Sequence, residues 1–512
     1  MATADDRQEW AGYCGLHCSD AGTGLSLDVS GARMSEAFLA DMAGPLSEAL
    51  TAMVALEAGT EANPDEHRMV GHYWLRAPDL APSADLGAGI RRSWDQVATF
   101  LPVARERYRS VLHIGIGGSA VGPRLLCDAW HDRGGLAVRF LDNADPDGID
   151  RALRDLPGGL ERTLVSVVSK SGITPTPWQV THEVERRFRA AGLDFAAHAV
   201  ATTVPGSDLA QHAAQHRWSA VFPLWQWVGG RTSVTSLVGL LPAALAGADT
   251  EAFLLGAAAM DRCTRNPAAT ANPAALLALS WYWLGGGRGD RTMVVVPYRD
   301  RLALLPRWVQ QLVMESLGKR LDRSGRVVRQ GLTVHGHKGV SDQHSYFQQL
   351  RDGRDDSFVT LIGTHRGESG ESALADHLFC GLLGTLEAFA ERGRPALAIT
   401  LPDYREHALG ALLALFERAV GLYAELVHVN AYHQPGVDKH TALPLLSLRQ
   451  KVLDHLTESG EPTTAEALAD ATGHPPVTVH RLLEHLAARD LVRRDPGRGP
   501  ADTRYTAVAA DA

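Results

Sequence analysis

The chain has 512 residues, 45% hydrophobic and 21% charged, a balance that fits a soluble globular protein of two or three domains. A formal charge of −9 argues against bulk nucleic-acid or anionic-membrane partners, and no apolar run is expected to span a membrane. Five cysteines give no disulfide framework, and the start, with Asp5, Asp6 and Glu9, is unlike a secretory signal, so a cytoplasmic location is expected.

Residues 1–90 read as a mainly helical segment. Ser35 to Ala58 carries apolar residues at helical spacing and can cap on Ser35. Cys14, His17 and Cys18 lie close together, but structural zinc wants four ligands, so free thiols are expected there. From about residue 91 the rhythm changes to short apolar runs, each followed by a polar turn and a helical stretch. The first set of runs is Val111–Ile114, Val138–Leu141, Leu164–Val168 and Ala197–Ala201. The second set is Met293–Val296, Val359–Ile362 and Ala396–Leu401. Strands alternating with helices predict α/β domains with parallel sheets covered on both faces, here residues 91–250 and 251–443. Residues 444–512 predict three helices and a two-stranded ribbon, a small winged helix.

Several turns carry candidate chemistry. Gly115-Ile-Gly-Gly-Ser119 follows a strand and opens a helix, where glycines let backbone N–H groups approach an anion. Ser169-Lys170-Ser171-Gly172, with Thr174 beyond, offers hydroxyls and a cation at a second strand end, suited to a phosphate dianion. The bland alternatives are a tight packing turn and a hydroxyl-rich helix cap. Gly229-Gly230-Arg231 can hold developing negative charge. Gln311 and Glu315 share one helix face, and that carboxylate can shuttle a proton. His344 can act as an acid or base.

Taken in order, these segments resemble the phosphoglucose isomerase family, over roughly residues 50 to 440. Asp142–Gly148, Pro205–Asp208, Met314-Glu315-Ser316, Gln343-His344 and Gln434-Pro-Gly-Val437 also carry the likeness. The resemblance implies two sugar-isomerase (SIS) domains in αβα sandwiches, and a winged-helix extension of a kind seen in some bacterial members. It implies interconversion of glucose 6-phosphate and fructose 6-phosphate through a cis-enediol(ate), with no metal or redox cofactor. Glu315 would be the base and Arg231 the enediolate stabiliser. His344 would assist ring opening from the partner subunit of a homodimer. Gly118, Ser119, Ser169, Lys170, Ser171 and Thr174 would bind the substrate, chiefly its phosphate, and Gln311 and Gln434 would complete the pocket.

The chain departs from the family at three places. The family order Gln-x-Gly-Val-Glu-x-x-Lys puts a lysine where Thr441 stands and a glutamate where Asp438 stands, and Lys439 comes two residues early. Thr176 replaces a usual glutamate, between Pro175 and Pro177, which are expected to delay the next helix. These changes leave two further readings open. One is an isomerase of a different phosphorylated or acidic sugar. The other is a weakly active or inactive sugar-phosphate regulator acting on DNA through Val477–Ala488, near Thr478, His480 and Arg481. The tail's mixed charge favours protein packing over nucleic acid.

Overall fold

A computed structural model describes residues 4–172, 174–367, 373–436 and 442–508, and divides the chain into two compact units, 1–434 and 435–512. The first unit opens with β1 (His17–Ser19) and β2 (Ser26–Asp28), an antiparallel pair inside a segment expected to be mainly helical. The alternation of buried Leu25, Leu27 and Val29 is a period-two signal that the helical reading passed over. Ser35 does cap a helix, accepting from the Phe38 amide at 3.1 Å. That stretch is two helices, Glu36–Asp41 and Ala43–Glu57, broken at Met42.

The first large sheet has five strands: β3 (Ser110–Ile114), β4 (Ala137–Leu141), β5 (Thr163–Val168), β6 (Ala199–Thr203) and β7 (Ala220–Pro223). All are parallel, in the order β4-β3-β5-β6-β7. Every residue of β3, β5 and β6 is buried, as a sheet covered on both faces requires. The chain moves to one side of β3 for β4 and to the other for β5. The crevice beyond the carboxyl ends of β3 and β5 is therefore a topological switch point, the usual ligand position in open α/β sheets.

The second sheet uses β8 (Thr292–Pro297). A hairpin of β9 (Lys319–Leu321) and β10 (Val327–Gln330) stands apart from it. The sheet continues with β11 (Val334–His335), β12 (Ser357–Thr364) and β13 (Ala396–Leu401). β8, β11, β12 and β13 are parallel, but β2 adds antiparallel to β13 and brings β1 with it. The second sheet is thus mixed, where an all-parallel one was expected. The N-terminal hairpin covers an edge that would otherwise expose unpaired backbone groups.

The helix Glu406–Leu426 is buried on nearly every side and crosses the core. Two of its buried charged residues, Glu417 and Arg418, are held in an ion-pair network. Arg76 donates to both carboxylate oxygens of Asp261 at 2.6 and 2.8 Å, and to Glu417 at 2.5 Å. Arg418 donates to Asp261 at 2.7 Å and also pairs with Glu57. Its guanidinium lies 4.0 Å from the Tyr73 ring centre. This network ties together four segments distant in sequence. Against the expectation of none, one helix among the described residues, Ala373–Ala390, is long and apolar enough to cross a membrane by length and composition. It lies along the second sheet, burying Leu382, Thr385 and Phe389 there.

The second unit contains helices Ala442–Ser459, Ala465–Thr472 and Pro476–Ala487 around Leu448, Val452, Leu468, Leu483 and Tyr505. Its sheet is β14 (Thr463–Thr464), β15 (Val492–Asp495) and β16 (Arg504–Ala507), in the order β14-β16-β15. The expected two-stranded ribbon gains this third strand because Thr463 and Thr464 pair with Tyr505 and Arg504 just before the second helix. His480 faces inward at its Nδ1, 3.0 Å from the Tyr505 hydroxyl. Tyr505 also donates to Glu484, which binds Arg494.

Candidate active site

Three turns meet at the switch point. The first follows β3. Gly117 has φ +58 and ψ −126, a conformation that glycine adopts without a side-chain penalty, and it opens the helix Gly118–Ala129. Gly118 packs on the Gly229-Gly230-Arg231 segment, and Ser233 donates to the carbonyls of Gly230 at 2.7 Å and Gly118 at 3.4 Å. Gln311 approaches the same turn from the other side, its Nε2 lying 3.3 Å from where a Gly117 Cβ would stand.

The second turn follows β5. Ser169 is buried, and its Oγ accepts from the Gly172 amide at 3.0 Å and lies 3.4 Å from the Thr174 hydroxyl. Lys170 donates to the carbonyls of Gln226 at 2.7 Å and Val228 at 3.1 Å, which joins this turn to the chain entering Gly229. Ser171 is exposed at the turn's rim. The helix that follows begins at Pro175 without delay. Pro175 is its first residue and Pro177 its third, positions whose amides lack an intrahelical partner anyway. Thr176 is half-buried between them.

Near its end the helix Leu305–Leu317 meets Arg231. Gln311 Nε2 donates to Glu315 Oε2 at 3.1 Å, and Arg231 Nη2 stands 3.3 Å from Glu315 Oε1. The Arg231 side chain is 6% exposed, while Glu315 keeps 19%, enough to present its carboxylate to a ligand. Burial lowers the Arg231 pKa, but an arginine stays charged. Its Nη1 also donates to the Ala431 carbonyl, and its Nη2 to the His433 carbonyl and to Gln434 Oε1, both at 3.2 Å.

Gln434 thus stands beside Arg231. His344, which the resemblance assigned to the partner subunit's site, is not bonded to this cluster. It is exposed in the short helix Ser341–His344, whose neighbour Gln343 binds Tyr298 and Thr385 near the second sheet. Among the described residues, no hydrogen bond or ion pair joins His344 to Glu315 or Arg231. Asp438, Lys439 and Thr441 lie outside the described residues.

Sequence reasoning missed two residues. Lys319 is 3% exposed and donates to the Glu315 carbonyl at 2.7 Å and the His433 carbonyl at 2.9 Å. Burial, with Arg231 adding, lowers its pKa to about 7. The four-residue spacing from Glu315 was its one sequence signal. His433 places Nδ1 3.1 Å from the Asn430 carbonyl and Nε2 3.6 Å from Asp65, and burial, with Lys319 adding, lowers its pKa.

Comparison with known proteins gives this arrangement a family. The family model described as phosphoglucose isomerase matches residues 51–383. The chain belongs to the phosphoglucose isomerase family. Its relatives include proteins named glucose-6-phosphate isomerase from Synechococcus sp. (strain JA-3-3Ab) and Geobacter sulfurreducens, each 48% identical. The first alignment covers 96% of this chain and 98% of the relative, and the second covers 94% and 95%. A glucose-6-phosphate isomerase structure from Chlamydia trachomatis superposes with a TM-score of 0.80 at 27% identity, covering 86% of this chain and 91% of that one. The IclR helix-turn-helix model matches residues 451–496. In this phosphoglucose isomerase family member, the family match ends upstream of Gln434–Lys439, the stretch where the chain departs from the family's order.

Proposed function

We propose that the chain interconverts glucose 6-phosphate and fructose 6-phosphate through a cis-enediol(ate). The observation that carries this reading is the 3.3 Å pairing of Arg231 with Glu315 beside two glycine-lined turns at one switch point. In the proposed reaction the phosphate sits on Gly118, Ser119, Ser169, Lys170, Ser171 and Thr174. Backbone amides and hydroxyls donate to it there, and Lys170 offsets its charge. Glu315 removes the proton from C2 and returns it to C1. Gln311 donates to Glu315 Oε2 and Arg231 pairs with Oε1, so both hold the carboxylate in place. Arg231 lies where charge develops on the enediolate oxygen, and its bonds to Ala431, His433 and Gln434 hold it in place before the charge forms.

The reaction shifts hydrogens within one molecule and leaves its overall oxidation state unchanged, so the reading includes no redox cofactor. His344 is exposed and, among the described residues, has no bond to its own chain's Glu315 or Arg231. The reading therefore has a homodimer in which the partner subunit's His344 assists ring opening. Place in sugar catabolism and its reverse, and a cytoplasmic location, belong to the same reading.

The test couples fructose 6-phosphate turnover to a glucose-6-phosphate dehydrogenase. Glu315→Gln should lower kcat by ~10²–10⁴-fold, the usual scale for loss of a positioned acid–base group. Unchanged activity would remove Glu315 from its role. Thr176 and Asp438 favour one second reading, a different phosphorylated or acidic sugar. A substrate screen in which another phosphosugar is isomerised with a higher kcat/KM than fructose 6-phosphate would establish it.

A further inference from the structure

Lys319 follows Gly318, the residue that ends the Glu315 helix, and its side chain turns back over the last turn. It caps the Glu315 carbonyl, one of the four that a helix end leaves without an intrahelical partner. From the same point it reaches the His433 carbonyl, which Arg231 also holds. Two buried cations from separate elements thus grip the short segment Ala431–Gln434. Four elements surround the ammonium with charge: Arg231 from its turn, Glu315 from the helix, Asp65 and Glu66 from the segment 60–68, and His433.

We propose that Lys319 is a positioning residue: its ammonium locks Ala431–Gln434 onto the last turn of the Glu315 helix and so fixes Arg231 and Gln434 relative to the carboxylate. The geometry makes the lock depend on charge. Bonds from an ammonium are roughly twice as strong as those from a neutral amine. Burial puts the change between the two forms at about pH 7. Catalysis should therefore carry a protonation step near neutrality, distinct from the titration of the base. A misplacement of about 1 Å at such a site costs on the order of 10²-fold in rate. The inference rests on the roles given above to Glu315 and Arg231.

The experiment compares Lys319→Met, Lys319→Arg and Glu315→Gln in the full chain, with folding checked by circular dichroism and thermal midpoint. kcat and kcat/KM for fructose 6-phosphate are followed across neutral pH, since kcat/KM reports the free enzyme. Folded Lys319→Met should lose roughly 10–10²-fold in kcat with a smaller change in KM, because the phosphate turns are untouched. Its step near pH 7 should disappear. Lys319→Arg should keep most of the activity and also lack the step, since arginine does not titrate there. Wild-type kcat and pH profile in folded Lys319→Met would overturn the proposal, and so would lost activity with the step intact. If the methionine variant does not fold, the pH profile of Lys319→Arg decides alone. An inactive Glu315→Gln beside unaffected Lys319 variants would sink this inference only; an active Glu315→Gln would sink the catalytic reading beneath it.

Discussion

Gly118 lies against Gly230 so closely that a Cβ on Gly118 would stand 2.0 Å from the Gly230 carbonyl oxygen. The backbone of the turn after β3 therefore rests directly on the backbone that delivers Arg231. Gly118→Ala should push the two turns apart. Overpacking of this kind costs typically ~1–3 kcal/mol. The expected result is a lower thermal midpoint together with a rise in KM and a fall in kcat, read from melting curves and the coupled assay.

The Asp261 carboxylate is shared by Arg76 and Arg418, and all three side chains are 3% exposed or less. Asp261→Ala would leave two guanidinium groups short of a partner in the core. Breaking a buried pair in this way costs roughly 3–5 kcal/mol. Denaturant unfolding should show that loss, while any variant that remains folded should keep its KM.

His344 and Glu315 make a complementation pair. If each site draws His344 from the partner subunit, His344→Ala and Glu315→Gln homodimers should both be impaired. Refolding the two together gives hybrids with one intact site. Statistical pairing should restore about a quarter of wild-type activity. No recovery above the sum of the separate variants would rule out the shared site.

Lys319 also carries a stability signature. Its folded pKa of about 7 lies below the ordinary lysine value near ~10.4. Between these values the unfolded chain holds a proton that the folded chain releases, so this group's contribution to stability rises with pH across that window. Below about pH 7 the burial penalty is fully present. Lys319→Met removes the dependence. Its stability relative to wild type should fall as pH is raised from neutral to alkaline, by at most ~1.4 kcal/mol per pH unit. A constant difference across the window would mean that the amine keeps an ordinary pKa.

The strands β3, β5, β6, β12 and β13 were legible because buried parallel strands are short continuous apolar runs between turn residues. The turns after β3 and β5 were legible because glycine- and hydroxyl-rich turns at strand ends are local patterns. The strands that escaped are short or at edges. Ala220–Pro223 and Val334–His335 are held by neighbours supplied by the fold, and β2 is anchored by Ile399, hundreds of residues away.

Local sequence thus determined the alternating α/β layout, the glycine turns, the one-turn spacing of Gln311 and Glu315, and the helices of the tail. These depend on residues a few positions apart, whose propensities and periodicities act before the chain folds up. Tertiary structure decided the rest. It set Arg231 against Glu315, packed the Gly118 turn on Gly230, buried Lys319 between two carbonyls, and left His344 exposed. Burial and Coulomb interaction set those properties, and both depend on which distant segments the folded chain brings into contact.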